Sequence, residues 1–370
     1  MVSKNESAPR GAEFVAATTN SGMNRRRFIA GSTVAGLAAV LPGWALAGCG
    51  GEGGGSVSEG GKTAFKATHG GGLGNFGMFV MKEAKTGAPD VELDFVVTPS
   101  LADITTLFAS GQVEASTIPY TNFLTAWDND APIVIVGGAG VEGLHLIAGP
   151  GIKSAEDLRG KTVGSFQADT LEILAYDYLK KAGMSFEDVK IKYFQGNADL
   201  TQAFVGGSLD AASSVVPFST AGLEQRKGST LLSDGVDLYG KGYTNDVIAV
   251  GKDVLESNRA GVKGLIKGLM LAQKKIETER EAMVKLTASK YFKLSEAQVL
   301  AASLEQGFAI DQRGNADLIL QGAEALKDLG YIKKLPDESI FQFDLLEEVI
   351  EENADLYASL KLKVVDDKSA

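Results

Sequence analysis

The residues of this chain with the means to do chemistry fall in four short segments, and what they offer is recognition. His69 with Gly71 and Gly72 opens the first, where glycines let backbone N–H groups approach a ligand closely. Ser116, Thr117 and Tyr120 bring two hydroxyls and a ring in the second; Phe166, Gln167 and Thr170 make the third; Pro217 and Phe218 close the fourth. Asn245 adds a carboxamide beside Thr244 and Asp246. Each also has a plain reading. His69 reads equally as a loop histidine without a role, the hydroxyls as helix caps, and Tyr120 and Phe218 as wedges against helices.

Signals for bond-breaking chemistry are sparse. The chain has no H-E-x-x-H and no G-x-S-x-G, and two histidines with one cysteine leave little for a transition-metal site. Neither a metal nor a cofactor is expected. The one rival is Gly72-Leu73-Gly74-Asn75-Phe76-Gly77, a G-x-G-x-x-G between a strand and a helix, which suits an exported NAD-dependent oxidoreductase. Against it, the acidic residue due at the end of the next strand is missing, because Asp94 sits inside "VELDFVVT".

An internal repeat indicates the elements that must hold these segments. "ADITTLFASGQVEAS" (102–116) aligns without gaps on "ADLTQAFVGGSLDAA" (198–212). The shared grammar is Asp103 or Asp199 as N-cap, an apolar helix face, Gly111 or Gly207 as C-cap, then a short strand followed by proline and an aromatic. Upstream, both copies open with Gly-Lys-Thr, at Gly61 and Gly160, and continue as strand, turn and amphipathic helix. Such alternation predicts two α/β lobes, each around a mostly parallel sheet. "GLHLIAG" and "NDVIAVG" read as crossover strands between them, and residues 252–360 as largely helical. In open α/β sheets ligands sit at the carboxyl ends of strands, so a small ligand between the lobes would touch all four segments and close the hinge.

"DTLE", Asp169 to Glu172, fits a helix-capping pattern that fills the N-terminus with carboxylates and repels an anion. None of the four segments carries Lys or Arg. A neutral, aromatic or weakly charged carboxylate ligand therefore stands at least level with a small oxyanion.

The chain has 370 residues, and its N-terminal region explains the single cysteine, Cys49. "NRRRFIAGSTVAGLAAVLPGWALAGC" is a charged region, an apolar run and a small-residue cleavage site, resembling a twin-arginine signal that ends in a lipobox. Cys49 would carry lipid, and the glycine-rich residues 49–61 would tether the body to the membrane. With 36 basic and 47 acidic residues the net charge is −11, which argues against a nucleic-acid partner.

The lobed repeat, "EDLRGKTVGSF" (156–166), "GSLDAA", "VVPF" and the lipoprotein-like signal together resemble substrate-binding lipoproteins of ABC importers, of the nitrate, sulfonate and taurine type. That group includes binders of thiamin pyrimidine precursors. The resemblance implies a periplasmic-binding-protein fold of type II-like form, with lobe 1 at 62–145 and 246–370, lobe 2 at 146–245, and a signal at 1–48. It also implies a monomer that is no enzyme, exported and lipid-anchored outside the cell membrane or periplasmic. Such a protein delivers a small organic acid, oxyanion or heteroaromatic solute to a permease and its ATPase. Sulfonate binders of this type use helix N-termini, from which "DTLE" departs.

Overall fold

The computed structural model describes residues 63–96, 104–292 and 294–365. The signal, Cys49, the 49–61 linker and Asp103 lie outside the described residues.

The strands, in chain order, are β1 (Thr63–Thr68), β2 (Val91–Phe95), β3 (Ala115–Pro119), β4 (Ile133–Gly138), β5 (Gly140–Val141), β6 (Leu144–Ala148), β7 (Thr162–Ser165), β8 (Lys190–Tyr193), β9 (Ala211–Val215), β10 (Thr230–Ser233), β11 (Asp246–Gly251) and β12 (Gly307–Phe308). They form two five-stranded sheets, ordered β2-β1-β3-β11-β4 and β10-β6-β9-β7-β8, and a two-stranded ladder of β12 on β5. In the first sheet β1 is parallel to β2 and β3, while β11 runs antiparallel to β3 and β4. The second repeats this: β7 is parallel to β8 and β9, and β6 runs antiparallel to β9 and β10. Each sheet is therefore mostly parallel, and its one reversed strand is the one that arrives from the other lobe. The duplicated sequence is a duplicated topology.

The inner strands β6 and β11 are buried along their whole length, as strands covered on both faces must be, and so is the edge strand β4, whose Gly138 N donates to Ile310 and whose Ile135 carbonyl accepts from Gln342 of the C-terminal part. The edge strand β2 alternates buried and exposed, and the edge strand β8 keeps Lys190 and Lys192 toward solvent, where charge discourages further strand pairing. On β6 the two-residue period sends Leu144, Leu146 and Ala148 into one core and Ile147 into another, which holds Leu200 and Phe204.

Both repeated helices end close to a glycine in the left-handed region, Gly111 at φ 66° and Gly207 at φ 76°, but the C-cap of the second is Gly206, one residue before the expected Gly207. Their starts differ. Gly196 is the N-cap of helix Asn197–Val205, so Asp199 lies inside the first turn and meets the helix dipole without capping it.

The helical C-terminal part covers the first sheet. Helix Arg259–Thr278 begins at Asn258, whose side chain accepts from Gly261 N, and buries Leu265, Ile266, Leu269 and Met270 against Phe79 and Met81. Helix Ala316–Asp328 covers the other face, with Leu326 and Ala323 against Phe123 and Ile118. The chain passes between sheets at Ala139–Gly143 and Asp234–Asn245, where Gly242 N donates to Glu142 Oε1 at 2.7 Å and Val141 bridges Thr244. β12 pairs with β5 at this crossing and brings the C-terminal half of the chain to it.

Candidate functional site

A cavity of about 420 Å³ opens where the carboxyl ends of β1 and β7 meet the return crossing. Its wall takes His69, Gly71 and Gly72 from the loop after β1, Phe166 from the loop after β7, Thr170 from the start of the helix that follows, and Asn245 from the return crossing. These are six of the twelve residues expected to face a ligand.

The other six are elsewhere. Ser116 and Thr117 lie inside β3, which continues to Pro119, and so do not end their strand; Ser116 Oγ donates to the Thr68 carbonyl at 3.2 Å. Tyr120 is buried in the first-lobe core against Gly322, and Phe218 packs on the second-lobe core, so both are wedges. Pro217 is the N-cap residue of helix Phe218–Gln225, and Gln167 is exposed beside Tyr331. Ser213 lies within β9 and donates to the Leu171 carbonyl.

His69 takes part in the wall as a packed ring. It meets Phe79 and Phe95 edge-on at 4.7 Å each, and its Nδ1 donates to the Gly70 carbonyl at 2.8 Å. Burial lowers its pKa, so the ring is neutral near pH 7. The second histidine, His145, is buried within β6 and shares a hydrogen bond with Ser219 Oγ at 2.9 Å.

The N-terminus of helix Thr170–Lys181 points its first residues at the cavity. Asp169 Oδ1 accepts from Leu171 N at 3.0 Å, and Glu172 Oε2 accepts from Ala168 N at 2.7 Å. The carboxylates thus cap the helix as expected, with Glu172 reaching one residue further back than a standard capping box. Thr170 Oγ1 donates to Asn245 Oδ1 at 2.8 Å. Glu172 also accepts from Tyr193 and, at 3.0 Å, from Tyr331, which belongs to the C-terminal segment.

Sequence reasoning missed the most unusual part of the wall. Asp246, the first residue of β11, is 6 % exposed and lines the cavity, and its carboxylate has no hydrogen-bond or ion-pair partner among the described residues. Burial, then the charge of Asp169, pushes its pKa up to about 7; burial pushes Asp169 up to about 6. Gln306, 3 % exposed, lines the same cavity, and among the described residues both its amide atoms are unpartnered. β12 carries it there: a Cβ at Gly140 would lie 2.5 Å from Asp246 Oδ2 and 3.1 Å from Gln306 Nε2. Gln195 and Asn197 add further amides.

The same geometry accounts for the G-x-G-x-x-G. A Cβ at Gly74 would meet Asp246 Oδ2 at 1.8 Å, and one at Gly77 would meet the Phe308 ring at 2.1 Å. These glycines make room for a carboxylate and a phenyl ring, and the carboxylate stands where a dinucleotide's pyrophosphate would need to approach.

Comparison with known proteins agrees with the two-lobed architecture. The E. coli periplasmic aliphatic sulphonate binding protein SsuA superposes with a TM-score of 0.64 at 22% identity, covering 74% of this chain and 95% of that one. The periplasmic nitrate-binding protein NrtA of Synechocystis PCC 6803 gives 0.66 at 14% identity, covering 82% and 92%. A protein of Brucella abortus (strain 2308), named as a binding protein, is 26% identical over 169 residues, or 46% of this chain. The chain spans about half the length of that curated relative, at 52%. A family model described as NMT1/THI5 like matches residues 88–275. That match takes in half of the chain, from the turn before β2 to the long helix over the first sheet, and the protein belongs to the NMT1/THI5-like family.

Proposed function

We propose that this protein is the extracytoplasmic solute-binding component of an ABC importer. It takes up a small solute between its lobes, closes about the two crossings and releases the solute to a membrane permease driven by a cytoplasmic ATPase. No bond is made or broken. The lobes are those of the sequence reading, 62–145 with 246–370 and 146–245, with the first boundary drawn back to Gly143 because β6 belongs to the second sheet, and Cys49 carries the lipid that keeps the monomer at the outer face of the membrane. The observation that carries this reading is the cavity itself, lined from the loop after β1, the loop after β7, the first residue of β6 and the return crossing. A ligand there touches both lobes and is favoured in the closed form. The assignments of sulfonate and nitrate to the structural neighbours support the class of function, and the wall of this cavity is what distinguishes the solute.

A thermal-shift screen of the full chain tests the reading. A ligand at a hundred times its dissociation constant stabilises by about 2.7 kcal/mol, a plainly visible shift. Stabilisation by a small solute and none by NAD is expected. Stabilisation by NAD alone overturns the importer reading in favour of a dinucleotide enzyme.

A further inference from the structure

We infer that the solute is a small organic cation of the amine or amidine class, held through N–H groups by Asp246 and Asp169 with Gln306 beside them. The inference rests on the solute-binding reading and gives that site its charge.

Three observations carry it. The first is the pair of buried carboxylates on one wall. Among the described residues the Asp246 carboxylate has no partner, and the Asp169 carboxylate is engaged only at the helix start and with Thr170. Removing carboxylates from water costs several kcal/mol unless a partner repays it, and no Lys or Arg lines this cavity. The one basic ring on the wall, His69, donates to the Gly70 carbonyl and is neutral. The second is Gln306, whose carbonyl oxygen and NH₂ are both buried and both unpartnered beside Asp246. A buried amide left with neither donor nor acceptor satisfied is costly, and a ligand presenting an N–H would satisfy its oxygen. The third is the helix N-terminus at the cavity, the ordinary place to hold an anion. Here Asp169 and Glu172 already occupy it.

The two carboxylates and the filled helix start disfavour an anion, and with them Gln306 Oε1 is an acceptor that a donor-rich cation would satisfy. A protonated amine or amidine offers a positive charge to two carboxylates and spare N–H groups to Gln306 Oε1, in a water-poor setting where charge-assisted hydrogen bonds are strongest. Phe166, Leu144 and Val215 supply the apolar part of the wall for a hydrocarbon or ring attached to the charged head. The volume, about 420 Å³, suits a small metabolite.

Titration calorimetry on the full chain, with agmatine and benzamidine as cationic probes and ethanesulfonate, nitrate and benzoate as anionic ones, tests the charge assignment. Binding of at least one cation and of no anion is expected, with affinity falling at least tenfold in Asp246→Asn and severalfold in Gln306→Ala. Asp246→Asn keeps the shape of the side chain, so a thermal melt verifies folding before the titration, and Gln306→Ala serves as the second variant. Binding of an anion and of no cation overturns the inference and leaves the solute-binding reading standing. Cation binding that is unchanged in both variants overturns the site. Binding of none of these probes, nor of any member of a pooled polar-metabolite library, overturns the solute-binding reading and the inference together.

Discussion

Thr170 Oγ1 donates to Asn245 Oδ1 at 2.8 Å, joining the first residue of the helix over the second lobe to the last residue of the return crossing. Both side chains are buried at the cavity wall. Thr170→Val keeps the shape and removes the donor, leaving the Asn245 oxygen unpaired. A loss of about 1–3 kcal/mol is expected by urea denaturation, with the slope against denaturant unchanged. A loss below about 0.3 kcal/mol would mean that the bond contributes nothing net.

The buried acids give the free protein a pH dependence of definite sign. The pKa of Asp246 is raised from the ordinary carboxylate range to about 7, and that of Asp169 to about 6. Between the unfolded value near 4 and those values the folded chain holds more protons than the unfolded one. Stability is therefore full below about pH 4 as far as these two groups are concerned, and falls as pH rises toward 7. Asp246→Asn removes the charge. Its melting temperature at pH 8 should exceed the parent's by several degrees, and its decline between pH 4 and 7 should be shallower. A variant that melts lower than the parent at pH 8 would show the carboxylate to be satisfied in the folded chain.

Gly74 and Gly71 separate packing from loop flexibility. A Cβ at Gly74 would enter the Asp246 carboxyl, whereas one at Gly71 meets nothing within 4 Å. Gly74→Ala should cost about 1–3 kcal/mol and displace the carboxylate, weakening any ligand held by it. Gly71→Ala should stay within about 0.5 kcal/mol of the parent. Equal effects of the two in a thermal melt would contradict the close approach.

Asp311 ties the tail to the first lobe. Its fully buried carboxylate accepts from Arg313 Nε and Nη2 at 3.0 Å each and from Tyr357 OH at 2.6 Å. Arg313 is 29% exposed, so it rehydrates in part when its partner is lost, and the expected cost of Asp311→Ala is about 1–3 kcal/mol. Faster hydrogen exchange at Val364 N, which donates to the Asp311 carbonyl, is the local readout, and unchanged exchange there would place the damage elsewhere.

Much of the architecture was legible because it is periodic and duplicated. Gly111 and Gly207 mark the same helix end twice, and β6 and β11 were visible as apolar runs at the crossings. Helix starts were less legible, since Asp199 resembles an N-cap in sequence and only the backbone decides that Gly196 takes the place. Of the site, the loops after β1 and β7 were readable from turn chemistry. Ser116 and Thr117 were misplaced because nothing in "ASTIP" marks how far a strand runs. Gln306 was invisible for a different reason: a ladder of two residues, β12 on β5, has no periodicity, and it brings in a residue from far along the chain. Asp246 lacked a signal because burial without a partner is a property of the assembled wall.

The order of synthesis follows from the strand that crosses back. The second sheet has all five strands once residue 233 has emerged, whereas β4, at the edge of the first sheet, pairs along its length only with β11. The lobe that begins first in the chain is thus completed last, and a nascent chain ending before Asp246 leaves β4 without a partner strand beside an already closed second sheet.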